Sequence, residues 1–192
     1  MRSPVILSCY TEDYTELADR LKQSADRFGY SHIIEQIPEQ GSWIANTLYK
    51  PVYILDKIVQ NSMIGFFIWI DADGVINQPI DVEPYRTSDV SMVWLRRELL
   101  TGTIFLNNTI ATRKLLTMWK ERCYTQTGRI QPDANVLQDI IDGGLWNGKL
   151  GDLLPQYCRI FDNKVQDSQN VPRYIEHFQA SRKFRKKKMG GL

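Results

Sequence analysis

No stretch of eighteen consecutive apolar residues occurs in this chain, so a membrane-spanning helix is not expected. The opening "MRSPVILSCYTED" offers only a short apolar run before charges intervene, too little for a secretory leader. Cysteine is scarce: Cys9, Cys123 and Cys158 are odd in number and far apart, and they fit no zinc pattern. Three free thiols suit a reducing compartment, which makes a cytoplasmic location the expectation. No internal repeat and no linker interrupts the sequence, and 192 residues are enough for one domain with a substantial core.

Strong net charge is also missing, but the balance of +2 hides an asymmetry. Six cations (Arg182, Lys183, Arg185, Lys186, Lys187 and Lys188) crowd into "SRKFRKKK", and without them the net charge falls to −4. The expected organisation is a domain over 1–181 followed by a basic tail over 182–192. Such a tail is either a solvated terminus or a contact for an anionic partner: a phosphate-rich ligand, a nucleic acid or an anionic membrane surface.

The order of elements is readable from periodicity. "PVILSC" (4–9) is β-branched and apolar, as a buried strand requires. Tyr14, Leu17, Ala18, Leu21, Ala25 and Phe28 then recur at helical spacing, and Gly29 marks the stop. "SHIIEQI" (31–37) is a second strand, and a loop containing Gly41 and Trp43 follows. Pro51 suits a first helical position, with Ile54, Leu55, Ile58 and Val59 on one face behind it. "MIGFFIWI" (63–70) is a continuous apolar strand, expected where both faces of a sheet are covered. This β-α-β-α-β half predicts an α/β sheet. Beyond it, 89–95 and 101–108 read as strands separated by "RRELL", and Asn108 or Thr109 caps a helix carrying Leu115, Leu116, Trp119 and Cys123. "DANVLQDII" is a short helix ended by Gly143 and Gly144, and weaker strands are expected at 157–161 and 173–178. The fold class expected is α/β, a doubly wound front half joined to a mixed-sheet back half.

Two carboxylates one residue apart, Asp71 and Asp73, stand where the third strand ends in "FFIWIDADGVIN". Two chemistries write this string. In "hhhDxDGVh", the opening signature of haloacid-dehalogenase-like phosphatases, Asp71 would be the nucleophile and Asp73 the general acid. That signature closes the first strand of its domain, however, whereas Asp71 follows some seventy residues with strands and helices of their own. The other chemistry is a carboxylate clamp for a hard divalent cation, Mn²⁺ or Mg²⁺, at the carboxyl end of a strand. A solvated turn with Asn77 and Pro79 is the plain structural reading of the same residues.

The company of the pair favours the clamp. "HFQASRK" (177–183) resembles the H-x-x-G-x-x-K element of family 8-type glycosyltransferases, with Ala180 in place of the glycine. In that resemblance Asp71, Asp73 and His177 hold the metal, and Lys183, shared with or replaced by Arg182, meets the donor diphosphate. "LSCYTEDY" stands where these enzymes hold base and ribose, which implies Ser8, Tyr10 and Thr11; Tyr10 as a core aromatic is the alternative. Lys50, ahead of Pro51 at a helix start, is a cation placed to face an anion. "LLTGTIFLNN" resembles the strand lining donor sugar and acceptor, implying Thr101, Gly102 and Thr103, with Gly102 permitting close approach. "QPDANVLQ" resembles the helix start whose aspartate points at the sugar, implying Asp133, although Ala134 replaces the usual glutamine. As a plain helix cap, Asp133 would need no function.

The resemblance runs from Pro4 to about Lys183 and implies a GT-A fold with a mixed central sheet. It implies a metal-dependent hexosyl- or pentosyltransferase that uses a nucleotide-diphosphate sugar, expected to be UDP-linked. Asp133 and Asp73 would carry the chemistry. The acceptor, whether glycan, protein, small molecule or modified DNA base, is left open. The rival readings are the phosphatase and a nucleic-acid-binding module that uses the tail.

Overall fold

The computed structural model describes residues 3–128 and 130–179. In chain order the elements are β1 (Val5–Tyr10), α1 (Thr15–Arg27), β2 (Ser31–Gln36), α2 (Trp43–Leu48), α3 (Lys50–Gln60), β3 (Phe66–Ile70), β4 (Gly74–Ile76), β5 (Val90–Leu95), β6 (Glu98–Asn107), α4 (Ile110–Tyr124), α5 (Asp133–Asp142), β7 (Leu150–Asp152), β8 (Arg159–Ile160), α6 (Lys164–Ser168) and β9 (Ile175–His177). The main sheet has the order β2-β1-β3-β6-β5-β7, and β4, β9 and β8 form a second, three-stranded sheet. Strands β2, β1 and β3 run parallel, while β6 runs antiparallel to both β3 and β5. The expected mixed sheet is therefore present.

All five residues of β3 are buried because both faces of the sheet are covered. Phe67 and Trp69 point into a core shared with α3, α4 and α5, where Ile54, Ile58, Leu115, Leu116, Trp119, Leu137 and Ile140 gather. Phe66, Ile68 and Ile70 point the other way, to Ala18, Leu21 and Ala25 of α1 and to Tyr85, Tyr157 and Ile175. Each of the Leu, Ile and Phe side chains among these contributes about 1.5–3 kcal/mol by leaving water. Helix α1 stops where the sequence says it should. Gly29 takes a left-handed φ of 70°, Tyr30 N–H bonds the Ala25 carbonyl at 3.1 Å and Gly29 N–H bonds Asp26 at 3.0 Å. The Thr109 hydroxyl caps α4 by accepting from Thr112 N–H at 3.1 Å.

Four local readings need correction. The expected loop around Trp43 contains α2, capped by the Ser42 hydroxyl, which accepts from Ala45 N–H at 3.1 Å. Six residues are too few to show a helical period. The "RRELL" separator is a hairpin: Arg96 and Arg97 take φ of 50° and 71°, and Glu98 already belongs to β6. A two-residue turn with both φ positive is ordinarily written with Asn or Gly, so two arginines conceal it. Strand β3 begins at Phe66 and not at Met63, which is 82 % exposed. The segment after Asp73, expected as a plain turn, is strand β4.

Candidate active site

Strands β1 and β3 end at the same edge of the sheet, and a cleft of about 370 Å³ opens there. Tyr10, Thr11, Lys50, Asp71, Asp73, Thr101, Gly102, Asp133 and His177 all line it, so nine of the residues singled out in the sequence converge. Thr103 stands one layer back. Ser8 does not line the cleft; it is fully buried within β1, and its hydroxyl has no hydrogen-bond partner among the described residues. Arg182 and Lys183, like the rest of the basic tail, lie outside the described residues.

How His177 reaches Asp73 is a matter of strand register. The chain leaves β3 through Asp71 and Asp73 straight into β4, which pairs antiparallel with β9 so that Gly74 faces His177. The Phe178 N–H then donates to the Asp73 carbonyl at 3.2 Å. His177 Nδ1 lies 3.4 Å from Asp73 Oδ1, and Nε2 lies 2.8 Å from Thr103 Oγ1. Gly74 is required at this crossing. A Cβ there would come within 2.5 Å of Ile70 Cγ2 and 3.1 Å of His177 Cε1. Gly102 is hemmed in by the same ring, since its Cβ would meet His177 Cε1 at 3.2 Å and Cys158 Sγ at 3.3 Å. The close approach that Gly102 permits is thus made by protein groups.

Lys50 opens α3 with Pro51 behind it, which turns its side chain inward at the cleft end of the helix. It is not an exposed cation. Its ammonium sits 2.9 Å from Asp71 Oδ1 and 3.0 Å from Asp133 Oδ2, and it donates to the Thr101 carbonyl at 3.2 Å. Thr101 Oγ1 donates to Asp133 Oδ2 at 3.2 Å, and Trp69 Nε1 donates to Asp71 Oδ1 at 2.7 Å. Asp133 is the first residue of α5, with Pro132 at the cap position, and its carboxylate is buried.

Charge explains the titration of these groups. Burial opposes the Lys50 ammonium, but Asp133 and Asp71 outweigh it and hold its pKa above the ordinary lysine value. For Asp71, burial and the neighbouring Asp73 and Asp133 raise the carboxyl pKa against the pull of Lys50 and His177. Burial likewise disfavours the His177 imidazolium, yet Cys158 and Asp73 overcome that and push it up to about 10. Lys50 is thus paired with Asp71 and Asp133 while Asp73 faces His177, and two aspartates with an imidazole are oxygen and nitrogen donors of the type that Mn²⁺ or Mg²⁺ takes. Among the described residues, no group of three His, Cys, Asp or Glu side chains is arranged to hold a metal ion.

Sequence reasoning missed several lining residues. Trp43, Asn46 and Thr47 come from the unrecognised α2, and Cys158 carried no spacing signal. Tyr14 read as a helix face residue, and Trp69 as an ordinary core residue.

The mixed α/β sheet with its antiparallel β6 and a cleft at the strand ends is a GT-A-like fold. Solved glycosyltransferase structures resemble the chain over 92–100% of its length. A glycosyltransferase involved in glycosylation of the major capsid of PBCV-1 matches with a TM-score of 0.71 at 17% identity, covering 100% of both chains. GlyE of Streptococcus pneumoniae TIGR4 matches 92% of this chain with a TM-score of 0.58 at 11% identity, and the bifunctional glycosyltransferase WbbM matches 92% with 0.59 at 10%. The chain spans 55% of GlyE and 45% of WbbM. No protein-family model matches the sequence, and no curated protein matches it. Among the described residues no helix is long and apolar enough to cross a membrane.

Proposed function

We propose that the chain is a metal-dependent glycosyltransferase that moves a hexose or pentose from a nucleotide-diphosphate sugar, UDP-linked, to an acceptor hydroxyl. The observation that carries this reading is the meeting of Asp73 with His177 across 104 residues, beside Asp71 at the end of β3. Asp71, Asp73 and His177 would hold Mn²⁺ or Mg²⁺. Bound there, the ion supplies Lewis-acid stabilisation of the departing nucleoside diphosphate.

The chain's own groups do the rest. Once deprotonated, the imidazole could donate Nε2–H to Thr103 Oγ1, 2.8 Å away, and would then turn its Nδ1 lone pair toward Asp73, the tautomer that a ligand requires. Lys50 fixes Asp71 and Asp133 in place through its ion pairs. In this reading Tyr10 at the end of β1 and Thr11 just beyond it would meet the nucleoside, the end of β3 the diphosphate, and Thr101 of β6 with Asp133 the sugar; all of these residues line the cleft. A carboxylate at that last place stabilises the positive charge that grows on the anomeric carbon as its bond to the phosphate oxygen breaks. The acceptor oxygen bonds to that carbon, and its proton leaves with the diphosphate or to solvent.

The GT-A fold gives no support to the phosphatase reading, and in it Asp71 Oδ1 is already held by Lys50 and Trp69. The nucleic-acid reading rests on the tail, outside the described residues. A thermal-shift panel of nucleotide sugars with and without Mn²⁺ tests the proposal, because ligand binding raises apparent stability by mass action. A shift by UDP-sugars that needs the cation is expected; shifts indifferent to cation and nucleotide would refute it.

A further inference from the structure

Lys50 carries a positive charge into the cleft and is held there by the fold. Its ammonium is gripped by Asp71 Oδ1 at 2.9 Å, by Asp133 Oδ2 at 3.0 Å and by the Thr101 carbonyl at 3.2 Å. These partners come from the residue after β3, from α5 and from β6, so no ligand is needed to fix its position. Trp69 Nε1 donates to the same Asp71 oxygen at 2.7 Å, and the ammonium lies 5.6 Å from the Trp69 ring centroid. Asp71 Oδ1 therefore has two donors of the chain's own, while Asp73 meets His177 separately. The Asp71 side chain is nevertheless 37 % exposed, so solvent and ions reach this carboxylate.

We infer that Lys50 is a resident cation that competes with the metal ion for Asp71 and holds down the affinity of the nucleotide-free site. The inference rests on the reading of Asp71, Asp73 and His177 as metal ligands and deepens it. An ion that Asp71 ligates shares the carboxylate with an ammonium already paired to it. Like charges that close repel strongly where little water screens them, and a divalent ion meets twice the repulsion of a monovalent one. The ammonium has no way to relax, because leaving its place would strand the buried Asp133 carboxylate without a counter-charge. Lys50 therefore sets a standing opposition to the ion, of at least about tenfold in affinity. A purely structural Lys50 predicts the reverse: its removal would loosen Asp71 and weaken the site.

Titration of the full chain with Mn²⁺ in the absence of nucleotide, by calorimetry and by thermal shift, tests this without reference to turnover. Lys50→Met should bind Mn²⁺ at least about tenfold more tightly than the wild type. Mn²⁺ should also raise its melting temperature by more, since tighter binding stabilises more by mass action. Should Lys50→Met fail to fold, Lys50→Met/Asp133→Leu is compared with Asp133→Leu alone, a pair that differs only in the ammonium and leaves no charge stranded at 133. The same tightening is expected there. A folded variant that binds Mn²⁺ no more tightly than its Lys50-containing counterpart overturns the inference alone. Absence of Mn²⁺ binding in wild type and variants alike overturns the metal-ligand reading, and the inference with it.

Discussion

Gly74 lies opposite His177 in the register of two three-residue antiparallel strands, and this pairing brings an imidazole to the Asp73 carboxylate. The glycine is what lets the ring in, since a single methyl group would collide with Ile70 and crowd His177. Gly74→Ala should therefore destabilise the fold by about 1–3 kcal/mol, the usual range for overpacking a closed site. It should weaken Mn²⁺ binding as well. Urea denaturation and a Mn²⁺ titration of the same sample check both effects.

Thr103 has no place on the cleft surface, yet its hydroxyl fixes the orientation of His177 at 2.8 Å. Thr103→Val keeps the shape and removes the hydrogen bond. Loss of such a supporting contact costs about 10–100-fold in metal affinity. Isothermal titration with Mn²⁺ should show that loss, with the melting temperature changed far less than in Gly74→Ala.

Lys50 is the sole ammonium between Asp71 and Asp133 among the described residues, and its side chain is 8 % exposed. Lys50→Met leaves two carboxylates crowded without a counter-charge and should destabilise by about 3–5 kcal/mol. Adding Asp133→Leu to Lys50→Met should recover part of that loss, because it removes the stranded charge. A double-mutant cycle measured by denaturation checks the coupling.

The His177 pKa of about 10, against 6.5 for a free side chain, fixes two pH trends. The folded state binds this proton more tightly than the unfolded one. The resulting stability is complete below pH 6.5 and is lost as pH rises through about 10. Metal binding runs the other way, since a ligand imidazole must lose that proton. Mn²⁺ affinity should rise with pH by up to about tenfold per unit between 7 and 9. Titrations at pH 7, 8 and 9 check the slope, and His177→Gln should flatten it.

The sequence made the strands of the core legible because burial on both faces leaves a continuous apolar run, as in "FFIWI". It made Asp73 and His177, which the fold brings within 3.4 Å, legible as candidates because "DAD" and the start of "HFQASRK" keep their local spelling. What joins them was hidden. The β4–β9 pairing is three residues long and links positions about a hundred apart, and no local period records such a contact. Gly74 therefore looked like an ordinary turn residue. Lys50 was placed correctly at a helix start, but its ion pairs with Asp71 and Asp133 depend on how α3, β3 and α5 pack, which spacing does not carry. Ser8 followed the resemblance at its edge and is buried in the strand instead.

The most direct test of the account is Mn²⁺-dependent hydrolysis of a UDP-sugar by the wild type and by Asp73→Asn, with circular dichroism to verify that both are folded. The wild type should turn over the donor, stop in excess chelator and recover with added Mn²⁺. Asp73→Asn should stay folded and lose at least about a hundredfold in rate. Full activity in folded Asp73→Asn, or wild-type activity unaffected by chelator, would contradict the central claim that these two carboxylates clamp a cation for glycosyl transfer.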